Sequence, residues 1–229
     1  MMKQSAPKPK SLIQEIITKS CLKQEVYHQT LDTFNLFKLE CEAFVSANKG
    51  KVRKTQFPVL FEYYDRSAFE FQLKFGSDVL IFFMHSNVFD IPRNHILMKS
   101  SYIREDKSRS YCGIIHIFNF LADSLKYNRT NDIGYCIGRV FVNRENHYFT
   151  EGKREIGVPY NSFSNKVLDR DAVMSIIRSS IEYTINFDLL TPPFDSIKEV
   201  SVSEILTTLD AMSFSTGKRL GFRFQADVE

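Results

Sequence analysis

Between Pro9 and Asn48 the chain contains neither glycine nor proline. A run that long without a helix breaker can hardly be anything but one long helix or two nearly continuous ones. Leu12, Ile13, Ile16 and Ile17 open an apolar stripe, and Leu31, Phe34, Phe37, Cys41 and Phe44 continue it at spacings of three and four. A stripe of that kind must be covered by another surface. Everything downstream is therefore read as what this helix packs on.

The next segments supply a sheet. "FPVLFEYYD" is β-branched and aromatic, as strands are. "AFEFQLKF" alternates: Phe69, Phe71, Leu73 and Phe75 face one way, and Glu70, Gln72 and Lys74 face a wet side. Gly76-Ser77 suits a type II′ turn into "DVLIFFMHS", which is apolar on both faces and so expects a cover on its second side. "HILMKSSYI" reads as a further strand. "YCGIIHIFNFLADSLKY", residues 111–127, reads as a helix on its length, with Ile114, Ile117, Phe118, Leu121 and Leu125 along one side and His116, Asn119, Asp123 and Lys126 along the other. "GYCIGRVFVN" and "NHYFTE" form a hairpin through Arg144-Glu145, with Gly138 marking a bulge or a close backbone approach. Asp169 caps a helix whose stripe is Val173, Ile176, Ile177, Ile181, Thr184 and Ile185. After "TPPFD" come a short helix, Ser203 to Met212, and a last strand, "RLGFRF".

This order predicts an α+β fold: an antiparallel sheet, three-strand meander plus hairpin, with the long N-terminal helix and further helices packed on one face. Residues 1–9 form a flexible basic tail, 10–190 a single domain, and 191–229 an addition to it. The element order over roughly residues 10–187 is similar to the secretion-chaperone-like fold, whose members are small homodimers that hold client polypeptides. That resemblance implies a binding module.

Composition narrows the class. With 43% hydrophobic and 25% charged residues the chain is ordinary for a globular protein, and 21 Phe without any Trp point to a phenylalanine core. The longest apolar run, Val79 to Met84, is too short for a membrane span, and the N terminus lacks the apolar core of a signal peptide. Cys21, Cys41, Cys112 and Cys136 show no metal or redox spacing and read as reduced, buried thiols, so a cytoplasmic protein is expected. The net charge of +3 hides an asymmetry, because residues 1–60 carry +5 and the remainder −2.

Two stretches carry a Gly-Lys-Arg string, "TEGKREIG" at Thr150–Gly157 and "STGKRLGF" at Ser215–Phe222. Neither is a nucleotide loop. His147 and Met212 stand where the first glycine belongs, and Arg follows Lys where a magnesium-binding hydroxyl is required. The first string also leaves a strand without entering a helix, so no helix N terminus faces an anion there. His85, Asp90 and His95 share one loop without a ligand-pair spacing, and Glu70 and Lys74 lie four apart, the wrong interval for a nuclease. Neither a metal nor a cofactor is expected.

Two functions fit. The first is a non-enzymatic protein-binding or scaffold module, homodimeric through an apolar helix or strand face, with a protein partner or a second copy as its ligand. The alternative is a nucleic-acid-binding or nuclease-like protein. It would use Lys49, Lys51, Arg53 and Lys54 with Lys153, Arg154, Lys218 and Arg219, while Tyr63, Tyr64 and Tyr148 stack bases.

Overall fold

The structure is a computed structural model that describes residues 11–52, 54, 56–57, 59–130, 132–157, 159, 163–188 and 193–203. The glycine-free run forms one unbroken helix, α1 (Leu12–Val52), with Glu15 in its first turn and Lys49 and Lys51 in its last, each placed to favour the helix dipole. β1 (Phe61–Ser67), β2 (Glu70–Phe75) and β3 (Asp78–Met84) follow, then the two-residue β4 (Phe89–Asp90). A strap of short helices comes next: a 3-10 turn (Ile96–Lys99), α2 (Ser101–Glu105) and a second 3-10 turn (Lys107–Ser110). The chain continues through β5 (Tyr111–Leu121), α3 (Ala122–Lys126), β6 (Tyr135–Asn143), β7 (Tyr148–Gly152), α4 (Arg154–Gly157), α5 (Arg170–Ile185) and α6 (Phe194–Ile197).

The fold is α+β. All strands pair antiparallel in the order β1-β2-β3-β5-β6-β7, and β4 pairs beside the start of β5. At the Gly76-Ser77 turn only Gly76 has positive φ, 55°, the sign pattern of type II′. α1 and α5 lie on one face and close the main core, where Phe34 and Phe37 of α1 meet Phe71 and Phe82 of the sheet. The rings of Phe71 and Phe82 stack at 4.5 Å. The helix comes closest to the sheet at Gly113, where a Cβ would lie 2.2 Å from Thr30 Oγ1. Asp169 caps α5 by accepting from the Ala172 amide at 2.9 Å.

Several expectations are corrected. Residues 111–121 are not a helix but the central strand β5, and only 122–126 are helical. Its neighbours β3 and β6 supply the backbone partners, so the meander and the hairpin join into one sheet. The element order behind the chaperone-like resemblance therefore has a strand where a helix was expected. "HILMKSSYI" is likewise not a strand but the strap, its turns capped by the side chains of His95 and Ser100. Gln72, assigned to a wet face, is buried. Of the four cysteines, Cys41 and Cys112 are buried while Cys21 and Cys136 are exposed. Gly138 has both features proposed for it: it borders a register shift, and its Cβ would meet Ile156 at 2.8 Å. The helix and strand expected beyond Ser203 lie outside the described residues.

Candidate functional site

The strap reads as a built feature. Three of its caps are side chains of its own loop, from His95, Ser100 and Asp106. It is clamped to the β6–β7 hairpin by Tyr102, whose hydroxyl donates to Glu145 Oε2 and accepts from Asn143 Nδ2, both at 2.8 Å. Arg109 bonds the other Glu145 oxygen at 3.1 Å and lies over the Tyr102 ring. Burial pushes the Glu145 carboxyl up, but the bonds from Tyr102 and Arg109 outweigh it and hold the group below its usual value. Burial also raises the Tyr102 hydroxyl. With every member satisfied, this network holds the strap in place.

Under the strap, on the sheet face away from α1, lies a pocket of about 230 Å³. Phe89 and Asp90 of β4, Ile91 and Pro92 of the loop that leads into the strap, and Ile114, Phe141 and Phe149 of β5–β7 line it. Phe141 and Phe149, directly opposite across β6 and β7, stack at 4.4 Å. At one end Arg139, Glu151 and His95 meet: Arg139 bonds one Glu151 oxygen, and His95 Nε2 is 3.6 Å from the other. His95 Nδ1 accepts from the Leu97 amide, so the neutral ring carries its hydrogen on Nε2, toward the pocket end. Nearby on the same face, His116 stacks on Phe118 with its ring centroid 6.3 Å from that of His85. Burial, the Arg139 charge and His85 together hold His116 below the ordinary imidazole pKa.

The residues singled out from sequence are scattered. His116 faces outward and Asn119 inward on β5, because neighbours three apart on a strand point to opposite faces; Asp123 is on α3. Asp90 accepts from the Ser110 hydroxyl at 2.5 Å and lines the same pocket as His95. Among the described residues no group of three or more His, Cys, Asp or Glu side chains could hold a metal. Tyr148 is buried in the main core and Tyr63 packs against it, whereas Tyr64 lies between Lys74 and Arg66 on the outer face. Lys49 and Lys51 end α1 and Lys54 follows in a turn, near β1. Lys153 and Arg154 follow β7 at the opposite edge, five inter-strand steps or about 24 Å across. Arg53, Lys218 and Arg219 lie outside the described residues. The Gly152-Lys153-Arg154 string does enter a helix, correcting the sequence reading, but it is the single turn α4. Its glycines serve packing: Gly152 has φ 153° and pairs with Gly138, and Gly157 rests on Gly152.

One surface feature was visible in the sequence and its exposure was not. Leu12, Ile13, Ile16 and Ile17 are 72%, 65%, 52% and 49% exposed. Leu12 and Ile16 stand eighteen residues, five turns, before Thr30 and Phe34, so they continue the core-facing side of α1 beyond the sheet. No helix among the described residues is long and apolar enough to cross a membrane. Comparison of the chain with known protein families, with curated proteins and with solved structures finds no match in any of the three.

Proposed function

We propose that the protein is a non-enzymatic protein-binding module that works as a homodimer, paired through the first turns of α1. The observation that carries this reading is the exposed run Leu12, Ile13, Ile16 and Ile17, of which Leu12 and Ile16 continue the core-facing side of the helix. Four large aliphatic side chains aligned on two turns form a patch of the kind that marks an interaction site. Charge favours a second, antiparallel copy as the occupant. With the twofold axis at Ile17, Glu15 of each helix lies opposite Lys19 of the other, and Ile13 lies opposite Cys21. The remainder of α1 is fixed to the sheet, so the pairing element is presented rigidly and its ordering costs little on association.

Sedimentation velocity tests the reading. Wild type at micromolar concentration sediments as a dimer, and Leu12→Glu/Ile16→Glu as a monomer with an unchanged circular dichroism spectrum. A wild type that stays monomeric across the concentration series rejects the proposal.

A further inference from the structure

We propose that the pocket beneath the strap binds a small aromatic carboxylate, its ring among Phe89, Pro92 and the Phe141–Phe149 stack and its carboxylate on Arg139 and His95. Three observations converge on this class. The first is size. A dry apolar cavity of about 150 Å³ takes benzene, so about 230 Å³ holds one ring with a short head group. The second is shape and surface. Phe89, Ile91, Pro92, Ile114, Phe141 and Phe149 line the pocket, flat and branched apolar groups suited to a planar ring.

The third is where the polar groups sit. They gather at one end, and the donors there are only partly used. Arg139 gives one guanidinium nitrogen to Glu151, which leaves the rest of its donor fork for a second carboxylate. The His95 Nε2–Glu151 Oε1 separation of 3.6 Å is longer than a hydrogen bond, so that N–H is available to a ligand oxygen. Glu151 stands between these donors and fixes them, and a ligand anion shares them with it. Asp90 is five residues from the Arg139 level along β5, since it pairs with Tyr111 while Arg139 pairs with His116. Asp90 lines the same pocket, at the other end of that register, and its carboxylate is engaged by the Ser110 hydroxyl at 2.5 Å. The site is independent of self-association, because none of its residues belongs to α1.

The probes are benzoate, benzamide and benzylamine, which share a ring and differ in head group, titrated by ligand-detected NMR. The absence of tryptophan also permits an indole acid to be followed by fluorescence without background. Benzoate binds most tightly, benzamide more weakly, and benzylamine weakest. Arg139→Gln weakens benzoate about tenfold while changing benzamide little, as expected for loss of a charge-assisted bond. Phe89→Ala weakens benzoate and benzamide alike. Equal or tighter binding of benzylamine to the wild type overturns the proposal without reliance on any variant, as does Arg139→Gln binding benzoate like wild type. No binding of benzoate at millimolar concentration overturns it as well.

Discussion

At the scale of single residues, glycine is where sequence and structure part most instructively. Gly138 advertised its bulge by sitting in the interior of a strand, between Ile137 and Arg139. Gly152 was hidden by its neighbours, because a Gly-Lys-Arg string invites a phosphate reading while the cause is steric: its φ is 153°, and a Cβ would lie 2.4 Å from Ile137 O. Gly50 has neither constraint, with nothing within 4 Å of a Cβ near the end of α1. The two are expected to respond with opposite sign in thermal or urea unfolding. Gly152→Ala destabilises by about 1–3 kcal/mol from backbone strain alone, whereas Gly50→Ala stabilises by about 0.5–1 kcal/mol. The Tyr102 clamp gives a second residue-scale prediction. A carboxyl whose folded pKa is depressed contributes stability above its unfolded pKa and loses it as pH falls. The Glu145 contribution is therefore complete above pH 4.5, the ordinary value, and is lost as pH drops below it toward the depressed folded value. Glu145→Gln should make acid unfolding between pH 5 and 3 shallower, measured as melting temperature against pH.

At the scale of elements, legibility depended on whether an element has one wet face. α1 and α5 do, and their periodicities located them to within a few residues, while β2 was found by its apolar-polar alternation although Gln72 is buried. β5 does not: its buried residues include Cys112, Gly113, Ile114 and Ile115 in succession, covered by α1 on one side and the strap on the other. Without alternation, the accidental 3.6 spacing of Ile114, Ile117, Phe118 and Leu121 decided for a helix. The β-branched content of Ile114, Ile115 and Ile117 was the signal that argued the other way. The strap was missed because "ILM" looks like strand, while the caps that make it helical, His95 and Ser100, act over two or three residues only. The pocket was illegible too, since its lining comes from β4 and the loop after it and from β5–β7, joined only by tertiary packing. Position in the sheet predicts local stability. Amides of Ile115–Phe118, paired on both sides, should show the slowest native-state hydrogen exchange. Those of residues 15–18, which have only their own helix beneath them in the monomer, should exchange near the fast limit when the protein is dilute. They should slow with concentration as the copies pair.

At the scale of the whole molecule, the helix that organises the fold is longer than the fold requires. The buried residues of α1 begin at Val26, and before them Lys19 reaches the body of the molecule over the Tyr111 ring, at 3.9 Å. Leu12 to Thr18 rise about 10 Å along the axis and bury nothing large among the described residues. Stability and assembly are thus separable. Removing residues 1–18 leaves the Lys19 contact, the Thr30–Gly113 approach and the phenylalanine core in place. The truncated chain should melt, at protein concentrations well below the dimer dissociation constant, within a few degrees of the full-length protein. The difference should appear only when concentration rises. The full-length melting temperature increases with protein concentration, because a dimer of native chains draws the unfolding equilibrium back by mass action. That of the truncated chain stays flat. Differential scanning fluorimetry over a hundredfold concentration range reads both slopes. A truncated chain that melts many degrees lower even when dilute would show that residues 11–18 serve the fold itself, and a concentration-dependent truncated chain would move the dimer contact elsewhere on the molecule.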